Sequence, residues 1–192
     1  MPELPEIETI KNDLAPHVVG KTIINITFPP DFKMRILRRV PSQDAFLAAL
    51  RGVRVHTIKR RAKYLLLELD SSQTLIMHLG MSGQLLLRSG HAPMEPYVRA
   101  ILHFGNKTEL RFNDPRKFGE LFLHLPSSGT ASLSLDRLGP EPLEQEFSVA
   151  YLTHRLRGSR RKIKTFLLDQ TAIAGLGNIY SDESLFSAKI HP

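Results

Sequence analysis

Tyr64-Leu65-Leu66-Leu67-Glu68-Leu69 is followed by the turn Asp70-Ser71-Ser72 and then by a second apolar run from Thr74 to Leu79. Two short runs split by a turn read as antiparallel strands, not as one helix. The same pattern repeats in both directions. Upstream lie alternating runs at 22–28 and 53–58; downstream lie 84–87, Val98–Phe104, 108–112 and 120–125. Gly80, Gly83, Gly105-Asn106 and Asp114-Pro115 punctuate them, and Gly105-Asn106-Lys107 suits a hairpin. Eight such runs predict an antiparallel β-sandwich or barrel.

Helical spacing flanks this β region. Leu4, Ile7, Ile10, Leu14 and Val18 share one face, with Pro5 in the first turn and Pro16 and Gly20 as stops. Ser42 is an N-cap for a short helix over Gln43–Leu50, ended by Gly52. A stretch rich in Ser, Gly and Pro at 127–142 marks a domain boundary. Beyond it, 144–156, 161–168 and 178–188 read as helices, the last preceded by the turn Gly175-Leu176-Gly177. The expectation is an α+β chain with a β-sandwich domain at 1–130, a linker at 131–142 and a small helical domain at 143–192. So few residues make a thin core, which points to a truncated chain.

The 192 residues are 42% hydrophobic and carry a formal charge of +7, with no cysteine. No apolar run is long enough to span a membrane, so the expected setting is cytoplasmic. Disulfides and thiolate metal sites are excluded within these residues. The positive charge suits a polyanion partner, and the tract Lys33, Arg35, Arg38, Arg39 concentrates it.

The chain opens Met1-Pro2-Glu3-Leu4-Pro5-Glu6-Ile7-Glu8. Removal of Met1 makes Pro2 a free secondary amine. An ordinary α-amino group titrates at roughly 7.7–8.0, close to working pH. Such an amine can attack an aldehyde-like carbon and form a Schiff base. Glu3 is beside it by covalent geometry and suited to moving protons. The plainer alternative is helix punctuation, with Pro early and an acid near the N-terminus.

Further residues carry paired readings. Lys63 sits at a turn entering a β run, either as a surface lysine or as a cation aimed into a cleft. His78 ends a strand, either as a packed histidine or as a polar contact. Asn178 opens a helix after two glycines, as an N-cap or as part of an anion site. Met81, between glycines, is core packing or a loop tip, and Arg116 and Phe118 follow Asp-Pro on another loop.

These residues fall within motifs in a fixed order. After the opening come Arg60-Arg61-Ala62-Lys63-Tyr64-Leu65-Leu66, His78-Leu79-Gly80-Met81-Ser82-Gly83 and Asp114-Pro115-Arg116-Lys117-Phe118-Gly119. Then come Leu138-Gly139-Pro140-Glu141-Pro142, Gly175-Leu176-Gly177-Asn178-Ile179-Tyr180 and Glu183-Ser184-Leu185-Phe186 with His191-Pro192. The ordered set resembles the bacterial formamidopyrimidine-DNA glycosylases over nearly the whole chain. The resemblance implies excision of oxidised purines such as 8-oxoguanine and formamidopyrimidines. Pro2 would form the Schiff base, Glu3 would act as acid/base, and strand cleavage would follow by β,δ-elimination.

It further implies phosphate contacts at Lys63, His78 and Asn178, with Lys63 also serving elimination. Met81 and Phe118 would wedge the duplex while Arg116 faces the orphaned base. The partner would be double-stranded DNA with damaged bases or abasic sites, met by a nucleoid-associated monomer through a helix–two-turn–helix unit. No cofactor is expected in this chain. The family continues into a zinc finger with four cysteines, so the chain is expected to be a C-terminally truncated member. The tract from Lys33 to Arg39 has no counterpart in the resemblance. The alternatives are an endonuclease-VIII-like enzyme for oxidised pyrimidines and a catalytically impaired DNA-binding fragment.

Overall fold

The computed structural model describes residues 2–29, 42–124 and 134–192. The Lys33–Arg39 tract and residues 131–133 of the expected linker lie outside the described residues. The elements run α1 (Leu4–Val18), β1 (Thr22–Thr27), α2 (Gln43–Leu50), β2 (Val53–Arg61), β3 (Tyr64–Leu69), β4 (Thr74–His78), β5 (Gln84–Ser89), β6 (Val98–Phe104), β7 (Thr108–Asn113), β8 (Glu120–His124), α3 (Val149–Leu156), α4 (Ile163–Leu167) and α5 (Asn178–Ser187). The chain is α+β, as expected.

Two compact units share these elements: residues 1–60 with 64–129, and residues 61–63 with 130–192. In the first unit all eight strands form one sheet, ordered β5-β7-β6-β1-β2-β3-β4-β8. One cluster takes side chains from both halves of that sheet. Ile23, Leu102 and Leu110 come from one half, Leu65, Leu75 and Leu121 from the other. The sheet therefore closes on a single core in the manner of a sandwich, which α1 and α2 share through Ile7, Val18, Phe46 and Leu50. The alternation Leu65, Leu67, Leu69 is buried, while Tyr64, Leu66 and Glu68 are half-buried. This is the period-2 signal that a half-buried strand produces.

Several boundaries differ from expectation. Strand β2 runs three residues past Ile58 because charge pairs replace apolar contacts: Lys59 pairs with Glu68 at 2.7 Å and Arg60 with Glu8 at 2.7 Å. Helix α1 does end at Val18, where the apolar spacing placed it, and takes Pro16 into its last turn. In the 105–107 hairpin the left-handed residue is Lys107 at φ 60°. In the second unit the helix expected over 144–156 begins only at Val149, because Ser148 accepts from the Tyr151 N–H at 3.1 Å and caps it. Residues Glu144 to Phe147 instead form a turn closed by a Phe147 N–H bond to Glu144 at 3.1 Å. Helix α4 starts at Ile163, later than the expected 161, because the Arg161 side chain reaches Asp169 at 2.9 Å and the Thr165 carbonyl at 3.2 Å. A small core of Phe166, Leu167, Ala172, Ile173 and Leu185 holds α4 and α5 together.

Candidate active site

Pro2 is half-buried directly ahead of α1. Glu3 is the N-cap of that helix and only 1% exposed. Glu6 reaches back to accept from the Glu3 N–H at 2.8 Å, and the Glu3 carbonyl accepts from Ile7 at 3.1 Å. Leu4 and Ile7 bury this first turn. The helix is also tied to β2, since Arg60 donates to Glu8 at 2.7 Å and its own side chain is nearly buried. The hydrogen bond from Lys11, with Arg60, holds the Glu8 carboxyl below its ordinary range against the cost of burial. The head of α1 is thus a fixed platform.

His78, Met81, Arg116 and Phe118 come together in the first unit because of strand register. His78 pairs with Glu120 across β4 and β8, while Gln84 pairs with Asn113 across β5 and β7. The connections β4–β5 and β7–β8 therefore run side by side between the same two strand pairs. Met81 is 43% exposed and Phe118 46%. The Arg116 guanidinium lies 5.3 Å from the centre of the Phe118 ring, a cation–π distance. At the foot of these loops His78 packs against Tyr64, and its Nδ1 accepts from the Gly80 N–H at 3.3 Å.

Lys63 and Asn178 belong to the second unit. Lys63 is half-buried and follows Ala62, which holds a left-handed φ of 51°. That turn is clamped. Glu141, 7% exposed, accepts from Ala62 N–H at 2.5 Å and from Arg61 Nη1 at 3.1 Å. Arg61 Nη2 also donates to the carbonyls of Leu138 and Gly139, both at 2.9 Å. Asn178 is the exposed first residue of α5, and the N-cap is Gly177, not Asn178 as the plainer reading had it. The approach to α5 is held by Gln170, which accepts from Gly175 N–H at 2.9 Å and donates to Leu176 at 2.7 Å. Gly175 itself adopts φ 90°, open to glycine at little cost.

The supporting residues Ser82, Asp114, Glu141 and Gln170 were not singled out from sequence. Glu141 lies between Pro140 and Pro142, and Asp114 directly precedes Pro115; an acid beside proline was the one local signal for these two, and Ser82 and Gln170 offered none. Among the described residues no group of three or more His, Cys, Asp or Glu side chains could hold a metal ion. With no cysteine in the sequence, the residues present do not fit a thiolate zinc centre. No described helix is long and apolar enough to cross a membrane.

Residues 1–121 match the formamidopyrimidine-DNA glycosylase N-terminal domain, and residues 138–192 match the formamidopyrimidine-DNA glycosylase H2TH domain. The chain belongs to the formamidopyrimidine-DNA glycosylase family. The formamidopyrimidine-DNA glycosylase of Bacillus licheniformis is 42% identical over all of this chain, which covers 68% of that protein. That of Chloroflexus aurantiacus is 46% identical, with 67% of it covered. Among solved structures, Lactococcus lactis Fpg in complex with abasic-site DNA superposes with a TM-score of 0.87 at 37% identity, covering all of this chain and 68% of that one. A Lactococcus lactis mutant in complex with Fapy-dG-containing DNA gives 0.87 at 38% identity, with the same coverage.

Proposed function

We propose that this glycosylase-family chain excises oxidised purines from duplex DNA and cleaves the resulting abasic site through an imine on Pro2. The observation that carries the reading is the fixed head of α1, where buried Glu3 adjoins the chain's second residue. Once Met1 is gone, the Pro2 nitrogen attacks C1′ of the damaged nucleotide and the bond from C1′ to the base breaks. The base leaves with its electron pair and a proton. Opening of the sugar ring then gives the iminium, the ring oxygen taking a proton supplied at Glu3. Loss of a C2′ proton expels the 3′ phosphate, and a second elimination expels the 5′ phosphate. The Lys63 ammonium supports the phosphate charge during those steps, and His78 and Asn178 supply further phosphate contacts.

Base removal requires the nucleotide to leave the stack, at a cost of about a few kcal/mol. Met81 and Phe118, exposed on adjacent loops, are suited to fill the gap, and Arg116 to face the unpaired base. In this reading the first 130 residues carry the catalytic groups, and residues 143–192 grip the backbone through α4, the glycine turn and α5. The solved Lactococcus lactis complexes with abasic-site and Fapy-dG-containing DNA support this choice of partner.

Borohydride reduction on a duplex containing an oxidised guanine traps the imine as a covalent adduct. A form carrying one uncleaved residue ahead of Pro2, verified by intact mass, has an amide there and is expected to trap nothing. An adduct of equal yield from that form would refute the assignment of Pro2.

A further inference from the structure

The loops carrying Met81 and Phe118 are joined through one buried carboxylate. Asp114 is 1% exposed. Its Oδ1 accepts from Ser82 Oγ at 2.7 Å and from the Arg116 N–H at 3.2 Å, and its Oδ2 accepts from the Gly119 N–H at 2.8 Å. Its own backbone is anchored as well: the N–H donates to Tyr97 at 2.9 Å, and the carbonyl accepts from buried Arg99 at 2.9 Å. The loops also touch without side chains between them. A Cβ added to Gly80 would lie 2.6 Å from the Phe118 carbonyl carbon.

We infer that Asp114 and Ser82 are positioning residues that latch the two loops together, so that Met81, Arg116 and Phe118 enter the duplex as one wedge. The inference rests on the glycosylase/lyase reading above. Two chemical facts favour a latch over a simple loop staple. The carboxylate accepts three bonds from donors on both loops, so its charge is offset before a polyanion approaches, and it stays buried. The Ser82 hydroxyl is the side-chain strut from the Met81 loop, set one residue beyond Met81 itself. Filling a vacated base position with two residues from separate loops gains most when neither has to be ordered at the moment of insertion.

Ser82→Ala removes the strut and leaves Asp114 its bonds to Arg116 and Gly119. Trapping with borohydride is compared on two substrates, a duplex with an abasic site and a single-stranded oligonucleotide with the same site. The single strand has no vacated stack to fill. Ser82→Ala is expected to lower the trapping rate about ten-fold on the duplex, the scale of one hydrogen bond to a charged group. On the single strand it is expected to match wild type, and Ser82→Thr, which keeps the hydroxyl, is expected to restore the duplex rate. Asp114→Asn, with unfolding temperature measured alongside, is expected to show the same selective loss. Equal losses on both substrates, or a duplex rate unchanged in Ser82→Ala, overturn the latch. If wild type traps neither substrate, the lyase reading falls and the latch with it.

Discussion

Replacing Glu141 by alanine tests whether the turn bearing Lys63 is held from outside itself. The change removes the bond that Glu141 Oε1 accepts from the buried Ala62 N–H at 2.5 Å. A hydrogen bond to a charged group contributes about 1.5–3 kcal/mol. The Arg61 guanidinium loses a 3.1 Å partner but keeps two carbonyls and is 31% exposed, so its share is near that of an exposed pair, about 0–1 kcal/mol. Ala62 also holds φ 51°, a region unfavourable for alanine by about 1–2 kcal/mol that the clamp enforces. Relaxation of the turn recovers part of the loss, which sets the expected destabilisation at about 1–3 kcal/mol. At about 2–4 °C per kcal/mol for a chain of this size, calorimetry should show the melting temperature fall by about 2–12 °C. Glu141→Gln keeps a carbonyl oxygen for the amide and should lose less than half as much. Strand scission should slow more than adduct trapping in the alanine variant, because Lys63 rides on the same turn. A melting temperature within about 1 °C of wild type, with unchanged scission, would refute the clamp.

Acid should weaken the first unit through Glu95. The hydrogen bond from Arg111, with help from Arg88, holds its carboxyl down at about 2 from an ordinary 4.5. The unfolded chain takes up the proton first as pH falls, so the stabilisation is complete above about 4.5 and is lost between there and about 2. Urea midpoints across that window should fall less steeply in Glu95→Gln, and parallel curves would count against the pair. Asp169, held at about 2 by Thr171 and then Arg161, should do the same in the second unit. Gly80→Ala combines φ 61° with a Cβ 2.6 Å from backbone. It should cost about 2–4 kcal/mol in urea unfolding and weaken duplex binding. Gln170→Ala removes the bonds to Gly175 and Leu176, and should cost about 1–3 kcal/mol and lower DNA affinity measured by anisotropy at fixed salt.

The architecture was legible where side chains follow the period of the backbone. Leu4–Val18 and Gln43–Leu50 begin and end where apolar spacing and Ser42 placed them. Strand positions followed from alternation, but β2 outran its apolar pattern because Lys59 and Arg60 find acidic partners distant in sequence. Helix starts in the second unit were misplaced because Ser148 and Arg161 make local bonds that compete with helix. Met81, Arg116 and Phe118 could be suspected as loop residues from the glycines and Asp-Pro. Their adjacency depends on the registers His78–Glu120 and Gln84–Asn113, which no local pattern encodes. Asp114, Glu141 and Gln170 stayed hidden for the same reason, since each acts through long-range partners or through backbone shaped by the fold.

Arg61 to Lys63 sit in the middle of the β region by sequence, yet they cluster with residues beyond 130. The smaller unit is therefore not a contiguous stretch of gene. A recombinant piece starting at the Ser-Gly-Pro tract would carry Glu141 and the Leu138 and Gly139 carbonyls without the guanidinium that they receive. Dissecting the protein into halves thus splits a hydrogen-bonded clasp between two tubes, and a peptide spanning the β2–β3 turn is the missing component to add back.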